Sequence, residues 1–340
     1  MTHHHHPTIS AKPMSRRNML KAVAASSLAV SAGALLGGAL TGAANAATDT
    51  AAAGATTPLS AGTRLVPANR LGIQMFTVRD KVSSLGFRPV FEELANIGYS
   101  QIEFAGYTQG NVGAISISEL RQLLDDNGLE AIGAHQTLTP ENIDREIETA
   151  LELGMPYLGQ GGPITRGRTK AEWQQAAATW AEMGEKARAA GLQLYMHNHN
   201  GEWAFTSDDP NQRIYDLLWD ELDGSNVLFE LDIYWAYVGQ YQYPGFDPLD
   251  YVKRNPRRYQ LLHLKDGKIN EESNNGYDII EFGAGNIPYQ QFLSAIKDNR
   301  GRRFGMYEQD NAATVAEPGN ELNSLGNARR SYNNIAALRG

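Results

Sequence analysis

An α/β barrel of eight parallel strands, each followed by a helix, is the fold class that this 340-residue sequence predicts. Three observations predict it. From Leu71 onward a short apolar run, a polar turn and an amphipathic stretch of helical period recur eight times. Beyond His3 to His6, the four remaining histidines, His135, His197, His199 and His263, all fall at the C-terminal ends of these apolar runs. No glycine-rich phosphate fingerprint follows the first run, where Gln74-Met75-Phe76-Thr77 stands, and this argues against an open, doubly wound sheet.

The apolar runs give strands over 71–76, 100–104, 130–135, 157–160, 193–197, 227–232, 260–263 and 304–308. The stretches between them give helices over 89–97, 118–126, 141–153, 170–190, 211–222, 248–254, 289–299 and 321–338. Gly98, Gly128, Gly154 and Gly191 follow four of the helices, where a left-handed capping residue is wanted. Strand alternating with helix is the pattern of a parallel sheet, and a count of eight suggests closure.

Ahead of this domain, Ser15-Arg16-Arg17-Asn18-Met19-Leu20-Lys21 is a twin-arginine pattern, followed by an uncharged Ala/Leu/Gly-rich run to Ala44. Ala44-Asn45-Ala46 is a small-x-small cleavage signal, so residues 1–46 read as a Tat signal peptide. The run is long enough to span a bilayer, but its Gly and Ala content favours export and cleavage over anchoring. The expectation is a periplasmic or extracellular protein with no stable membrane insertion. Residues 47–66, rich in Ala, Thr and Gly, read as a disordered tether, and residues 67–340 as the barrel.

The chain has no cysteine, which removes disulfides, Fe–S clusters, thiolate zinc sites and cysteine nucleophiles together. Its net charge is −8, and the expected signal carries four cations and no acid, so cleavage makes the protein more acidic still. Nucleic-acid binding needs cations to replace phosphate counterions, and no basic stripe is present.

Acids join the histidines at the strand ends: Glu103, Glu230 and Asp232, Asp266, Glu308 and Asp310. An ionised carboxylate in an apolar strand is costly unless it is paired or bound to a cation. Asp232 and Glu308 directly follow apolar runs and read as metal ligands; Asp266 and Asp310 fit polar loops equally well. Imidazole plus carboxylate without thiolate suits one divalent Mn, Zn, Co or Fe ion and argues against calcium. Trp235, three residues after Asp232, is the best candidate for an apolar wall beside these ligands; Tyr234, Trp203 and Phe76 are weaker. Gln74, Arg79, Glu103 and His199 are further candidates for substrate contact.

The segments Gly72-Ile73-Gln74-Met75-Phe76-Thr77-Val78-Arg79-Asp80, Tyr195-Met196-His197-Asn198-His199, Leu231-Asp232-Ile233-Tyr234-Trp235, His263-Leu264-Lys265-Asp266 and Glu308-Gln309-Asp310 resemble the sugar phosphate isomerase/epimerase family. That family is one of the xylose-isomerase-like barrels, alongside inosose dehydratases, ketose 3-epimerases and endonuclease IV. The resemblance spans Leu71 to Leu338 and is strongest to a Tat-exported subgroup with a His-Asn-His segment. It implies metal ligands at Asp232, His263 and Glu308. A fourth ligand, a Glu on the fifth strand in the epimerases, falls on His197, which departs from their two-carboxylate mechanism and leaves His197 open as ligand or acid–base. Dimers or tetramers are common in the family, so a homo-oligomer is an open expectation.

These readings converge on a metal-dependent sugar or keto-sugar isomerase or epimerase working through an enolate. Glu308 or a strand-end histidine removes the carbon-bound proton, and His135 and Lys265 are candidate proton donors. The alternative role for Lys265 is an ion pair with Glu230 or Glu308. Competing functions are a lyase or dehydratase of keto-glycosides or inososes, and a non-catalytic sugar-binding barrel. A nuclease would need a richer ligand cluster and a basic face.

Overall fold

The computed structural model describes residues 62–297 and 303–340; the expected signal peptide and most of the expected tether lie outside them. Eight short strands pair in parallel in the order β3-β2-β1-β10-β7-β6-β5-β4. They are β1 Leu71–Gln74, β2 Gln101–Phe104, β3 Glu130–Ala134, β4 Tyr157–Gln160, β5 Gln193–His197, β6 Val227–Asp232, β7 Leu261–Leu264 and β10 Phe304–Tyr307. The seam between β3 and β4 closes through a parallel bridge from His135 to Gly159, with the Gln136 N–H donating to the Gly159 carbonyl at 2.9 Å. The expected barrel is therefore present. Strands β8 Asp266–Ile269 and β9 Tyr277–Ile280 form a separate antiparallel hairpin that the sequence pattern did not predict.

Each strand is covered by helices outside and by the other strands inside, which is why the runs read as apolar throughout. The outer core is one continuous cluster that includes Phe87, Phe91, Leu120, Ile147 and Trp180 from the helices. Inside the barrel a second cluster joins Ile132, Tyr195, Leu228, Leu261 and Met306. Glycine makes room for it: a Cβ on Gly159 would lie 2.3 Å from the Tyr195 ring, and one on Gly72 would lie 2.4 Å from Met306.

Side chains on a strand alternate, so residues two apart share the interior. Leu228-Glu230-Asp232, Leu261-His263-Lys265, Tyr195-His197-His199 and Met306-Glu308-Asp310 each climb from the apolar interior to the C-terminal mouth in steps of two. The polar site rests on a packed apolar plug.

Most boundaries shift from the sequence reading by one to three residues, a helix over Arg79–Leu85 was not expected, and three further differences bear on the site and its surroundings. Strand β1 stops at Gln74 because the Gln74 side chain accepts the Phe76 N–H and opens a 3-10 turn over Met75–Val78. A helix, Ile233–Gln242, starts directly after β6, capped by Asp232 Oδ1 accepting the Trp235 N–H at 2.9 Å. The end of the expected tether is held by the barrel: the Leu65 N–H donates to the Leu338 carbonyl and Val66 is buried. Among the described residues no helix is long and apolar enough to cross a membrane.

Candidate functional site

The C-terminal end of β6 supplies the first functional group. One oxygen of Asp232 is committed to the helix cap, while Oδ2 is buried and accepts no hydrogen bond. Around it stand His197 Nε2 at 3.7 Å, His263 Nδ1 at 3.9 Å and Lys265 Nζ at 3.2 Å. Glu308 Oε2 lies 3.0 Å from His263 Nδ1. His197, Asp232, His263 and Glu308 each offer one ligand atom, and the four lie within 4.8 Å of one another. The structure brings together the four donors expected from the sequence, and a buried carboxylate oxygen among two imidazoles, ion-paired with Lys265 but accepting no hydrogen bond, fits a divalent cation.

Below it is a layer whose role the sequence reading missed. His197 Nδ1 meets Glu230 Oε2 at 3.1 Å, and His263 Nε2 meets Glu103 Oε2 at 2.7 Å. Each imidazole thus has one nitrogen held by a buried carboxylate and the other turned to the upper donor set, the arrangement that fixes ring orientation in metal sites. His135 Nε2 joins the layer, 2.8 Å from Glu230 and 3.2 Å from Glu103. With His135, His197 and His263, Glu230 makes a second set of donors at metal-binding spacing that shares two imidazoles with the first. The two-residue step to Asp232 was the sequence signal that places Glu230 inside the barrel.

Glu103, expected at the substrate, is instead fully buried beneath the histidines, where the Tyr195 hydroxyl also donates to it. Gln74 is likewise buried; its Oε1 accepts the Phe76 N–H in the turn after β1, while Nε2 is buried without a hydrogen-bond partner among the described residues. Trp235 does not line the mouth; its ring backs His199 at 5.5 Å and stands 5.4 Å from Lys265 Nζ. Tyr234 and Trp203 are core residues, Trp203 stacked between Tyr215 and Phe246. Asp266 accepts backbone N–H groups of Gly267, Gly283 and Gly285 and organises the loop beyond the hairpin.

Lys265 is buried among Asp232, Glu308 and Asp310, the last two at 2.9 Å each. Of the two partners foreseen for it, Glu308 is realised and Glu230 is not. Burial alone would depress the ammonium, but the three carboxylates outweigh it and hold its pKa well above the usual lysine value. The same competition runs through the site. Burial pushes Asp232 up to about 6 against the pull of Lys265 and His263. Burial would also raise Glu308, but Lys265 and His263 hold it far below the usual carboxylate range. His199 is pushed down to about 4 by burial and by Lys265, so it is neutral at pH 7. Burial would lower His135, yet Glu103 and Glu230 carry it up to about 10.

Above the floor opens a cavity of about 860 Å³ lined by Phe76, Arg79, His135, Gln160, His199, Glu308 and Asp310 among others. It is of the size that takes a sugar-sized ligand. Arg79 is at this mouth, as expected. A carboxylate, a neutral imidazole and an imidazolium therefore face one polar cavity beside a donor set at metal-binding spacing. That combination can remove and deliver protons at neighbouring carbon and oxygen atoms.

A model of the xylose isomerase-like TIM barrel matches residues 91–319. The chain belongs to that family. Among the relatives of this xylose isomerase-like barrel is an inosose dehydratase of Clostridium perfringens, 23% identical over 205 residues. The match takes in 56% of this chain and 62% of that protein, so the chain spans less than two thirds of the relative's length. Among solved structures, a sugar phosphate isomerase/epimerase from Parabacteroides distasonis superposes with a TM-score of 0.61 at 23% identity, covering 82% of this chain and 98% of the other. An L-ribulose 3-epimerase superposes with a TM-score of 0.57 at 16% identity over 79% of this chain and 94% of its own. At these identities the structures establish the shared barrel, and isomerases, epimerases and dehydratases all occupy it.

Proposed function

We propose that this chain is a metal-dependent enzyme that forms an enolate from a polyhydroxylated ketone and resolves it as an isomerase or epimerase. The observation that carries the reading is the donor set His197, Asp232, His263 and Glu308, within 4.8 Å and beside the cavity. These four residues would hold a divalent ion, which would supply Lewis acidity to stabilise the developing enolate.

The remaining work falls to the chain's own residues. Glu308 stays ionised despite burial because Lys265 neutralises it, and once Lys265 turns to a substrate oxygen the carboxylate regains the basicity to take the proton next to the carbonyl. Lys265 remains an ammonium and donates to oxygen as negative charge grows there; it cannot serve as a base. Returning the proton from Glu308 to the adjacent carbon gives isomerisation; delivery from the His135 imidazolium to the other face of the same carbon gives inversion. A second reading, dehydration, is favoured by the inosose dehydratase relatives and by His135. In it, Glu308 keeps the proton it removed, and the His135 imidazolium protonates a departing β-hydroxyl, which leaves as water.

On this reading the protein is exported by the Tat route, takes a small carbohydrate rather than a nucleic acid, and does not remain inserted in a membrane. Elemental analysis of the purified protein tests the core of it. About one Mn, Zn, Co or Fe per chain is expected, lost in His263→Ala, together with solvent deuterium entering keto-sugars or inososes only in the loaded protein. No metal after incubation with each ion would leave a sugar-binding barrel as the better reading.

A further inference from the structure

The cavity rim carries positive charge that enolate chemistry leaves unused. Arg79 lays its guanidinium on the Phe76 ring, 3.7 Å from the ring centre, and donates to the carbonyls of Phe76 and Asp310. Those bonds use two of its five N–H groups, leaving three on a group already immobilised. A guanidinium fixed in advance loses little further freedom when it grips a ligand. Arg166 reaches the same cavity from the loop between β4 and the helix Lys170–Ala189, and among the described residues it makes no hydrogen bond or ion pair.

The acids in the cavity lining do not answer these cations. Glu308 and Asp310 are the carboxylates there; both pair with Lys265 at 2.9 Å, and neither pairs with a guanidinium. Two guanidiniums from separate elements thus border the cavity of a chain whose net charge is −8. A planar fork pairs side by side with a carboxylate. Phosphate sites commonly add the free N–H groups of a helix N-terminus. The neighbouring helix offers none in its first turn at Lys170 and Glu172, where Asp208 and the Thr169 hydroxyl already accept those N–H groups.

We propose that Arg79 and Arg166 form a carboxylate clamp, and that the substrate is an acidic sugar: a keto-uronate or a glycoside of a uronic acid. The direction of the bound sugar, carboxylate at the rim and carbonyl toward Glu308, rests on the enolate reading. The clamp itself does not.

Calorimetric titration of the full protein with D-galacturonate, D-galactose and D-galactose 6-phosphate tests it, in wild type, Arg79→Gln, Arg166→Gln and the double variant. Galacturonate is expected to bind at least about tenfold more tightly than galactose, a margin of the order that charge-assisted hydrogen bonds supply. Each single substitution should narrow that margin and the double variant should erase it; Arg166→Gln should do so with Tm unchanged, because that side chain is exposed and holds no partner among the described residues. No detectable galacturonate binding, equal grip on galactose, tighter binding of the phosphate, or a preference that survives the double substitution would each overturn the clamp. Failure of the two readings is separable. Full deuterium exchange on a neutral ketose without galacturonate binding sinks the clamp alone, whereas an intact clamp in a protein that exchanges no ketose or keto-uronate sinks the enolate reading alone.

Discussion

Asn198 shows how finely single residues set this site. Standing between His197 and His199, it accepts the Asp232 N–H on Oδ1 at 3.1 Å and donates from Nδ2 to the Asp232 carbonyl at 3.2 Å. The amide extends the β5–β6 pairing by one side chain and fixes Asp232 relative to His197. Glu202 does similar work one residue further on: buried itself, it accepts the His199 N–H at 2.9 Å. Asn198→Asp keeps the volume but sets an acceptor against the Asp232 carbonyl. Leaving that carbonyl unpaired costs about 1–3 kcal/mol, and metal affinity should fall about tenfold, the effect typical of lost outer-shell partners. Wild-type affinity in the variant, measured by competition with a chromogenic chelator, would show that the amide has no hold on Asp232. At this scale the sequence was informative where chemistry and strand period agreed. Strand period brought His197, Asp232, His263 and Glu308 to strand ends, but it was the resemblance to the sugar phosphate isomerase/epimerase family that joined Asp232, His263 and Glu308 as ligands and left His197 open between ligand and acid–base. Glu103 could not be assigned to the buried layer, because a run such as Ile102-Glu103-Phe104 shows which face a carboxylate takes but not how deep it lies.

Among the elements, those marked by local rules were legible. Ser116 with Glu119 and Thr169 with Glu172 form capping boxes, and Gly98, Gly128 and Gly154 take the left-handed conformation at helix ends. The β8–β9 hairpin was not legible. Its signal is spread over Asp266 and glycines some twenty residues on, and only the fold brings the Gly283 and Gly285 N–H groups to the Asp266 carboxylate. The early end of β1 was hidden for the same kind of reason: Met75 and Phe76 continue the apolar run, and the Gln74 side chain overrides it. Strand β4 makes a sharp test of the interior packing. Gly159 faces Tyr195, where a methyl group would meet the ring at 2.3 Å, and Tyr195 in turn holds Glu103 beneath His263. Gly159→Ala is expected to destabilise the fold by about 1–3 kcal/mol, as overpacking does, and to weaken metal binding through the displaced Tyr195. Unchanged Tm and metal content would mean that the barrel interior is looser than its geometry indicates.

For the molecule as a whole, the buried charges couple stability to pH and to the cation. Without a metal, burial would lower His135 and His263, but Glu103 and Glu230 raise both, His135 to about 10. In the unfolded chain a histidine titrates near ~6.5. Because the folded value is the higher one, the native state binds protons more tightly. The stabilisation is complete below the unfolded value and is lost as pH rises through the folded one. Metal-stripped protein should therefore lose Tm steadily from about pH 6.5 to about pH 10, and His135→Gln should flatten that slope whatever it does to stability at neutral pH. A divalent ion changes the balance, since it requires the unprotonated nitrogen of His263 and so competes with the proton there. Metal affinity is accordingly expected to rise with pH, and binding should release protons, seen as a dependence of the calorimetric enthalpy on the buffer's ionisation enthalpy. Thermal melts of chelated wild type and His135→Gln across this window decide the point. Parallel profiles would mean that His135 carries no extra proton in the fold, and the imidazolium assigned to dehydration would lose its basis.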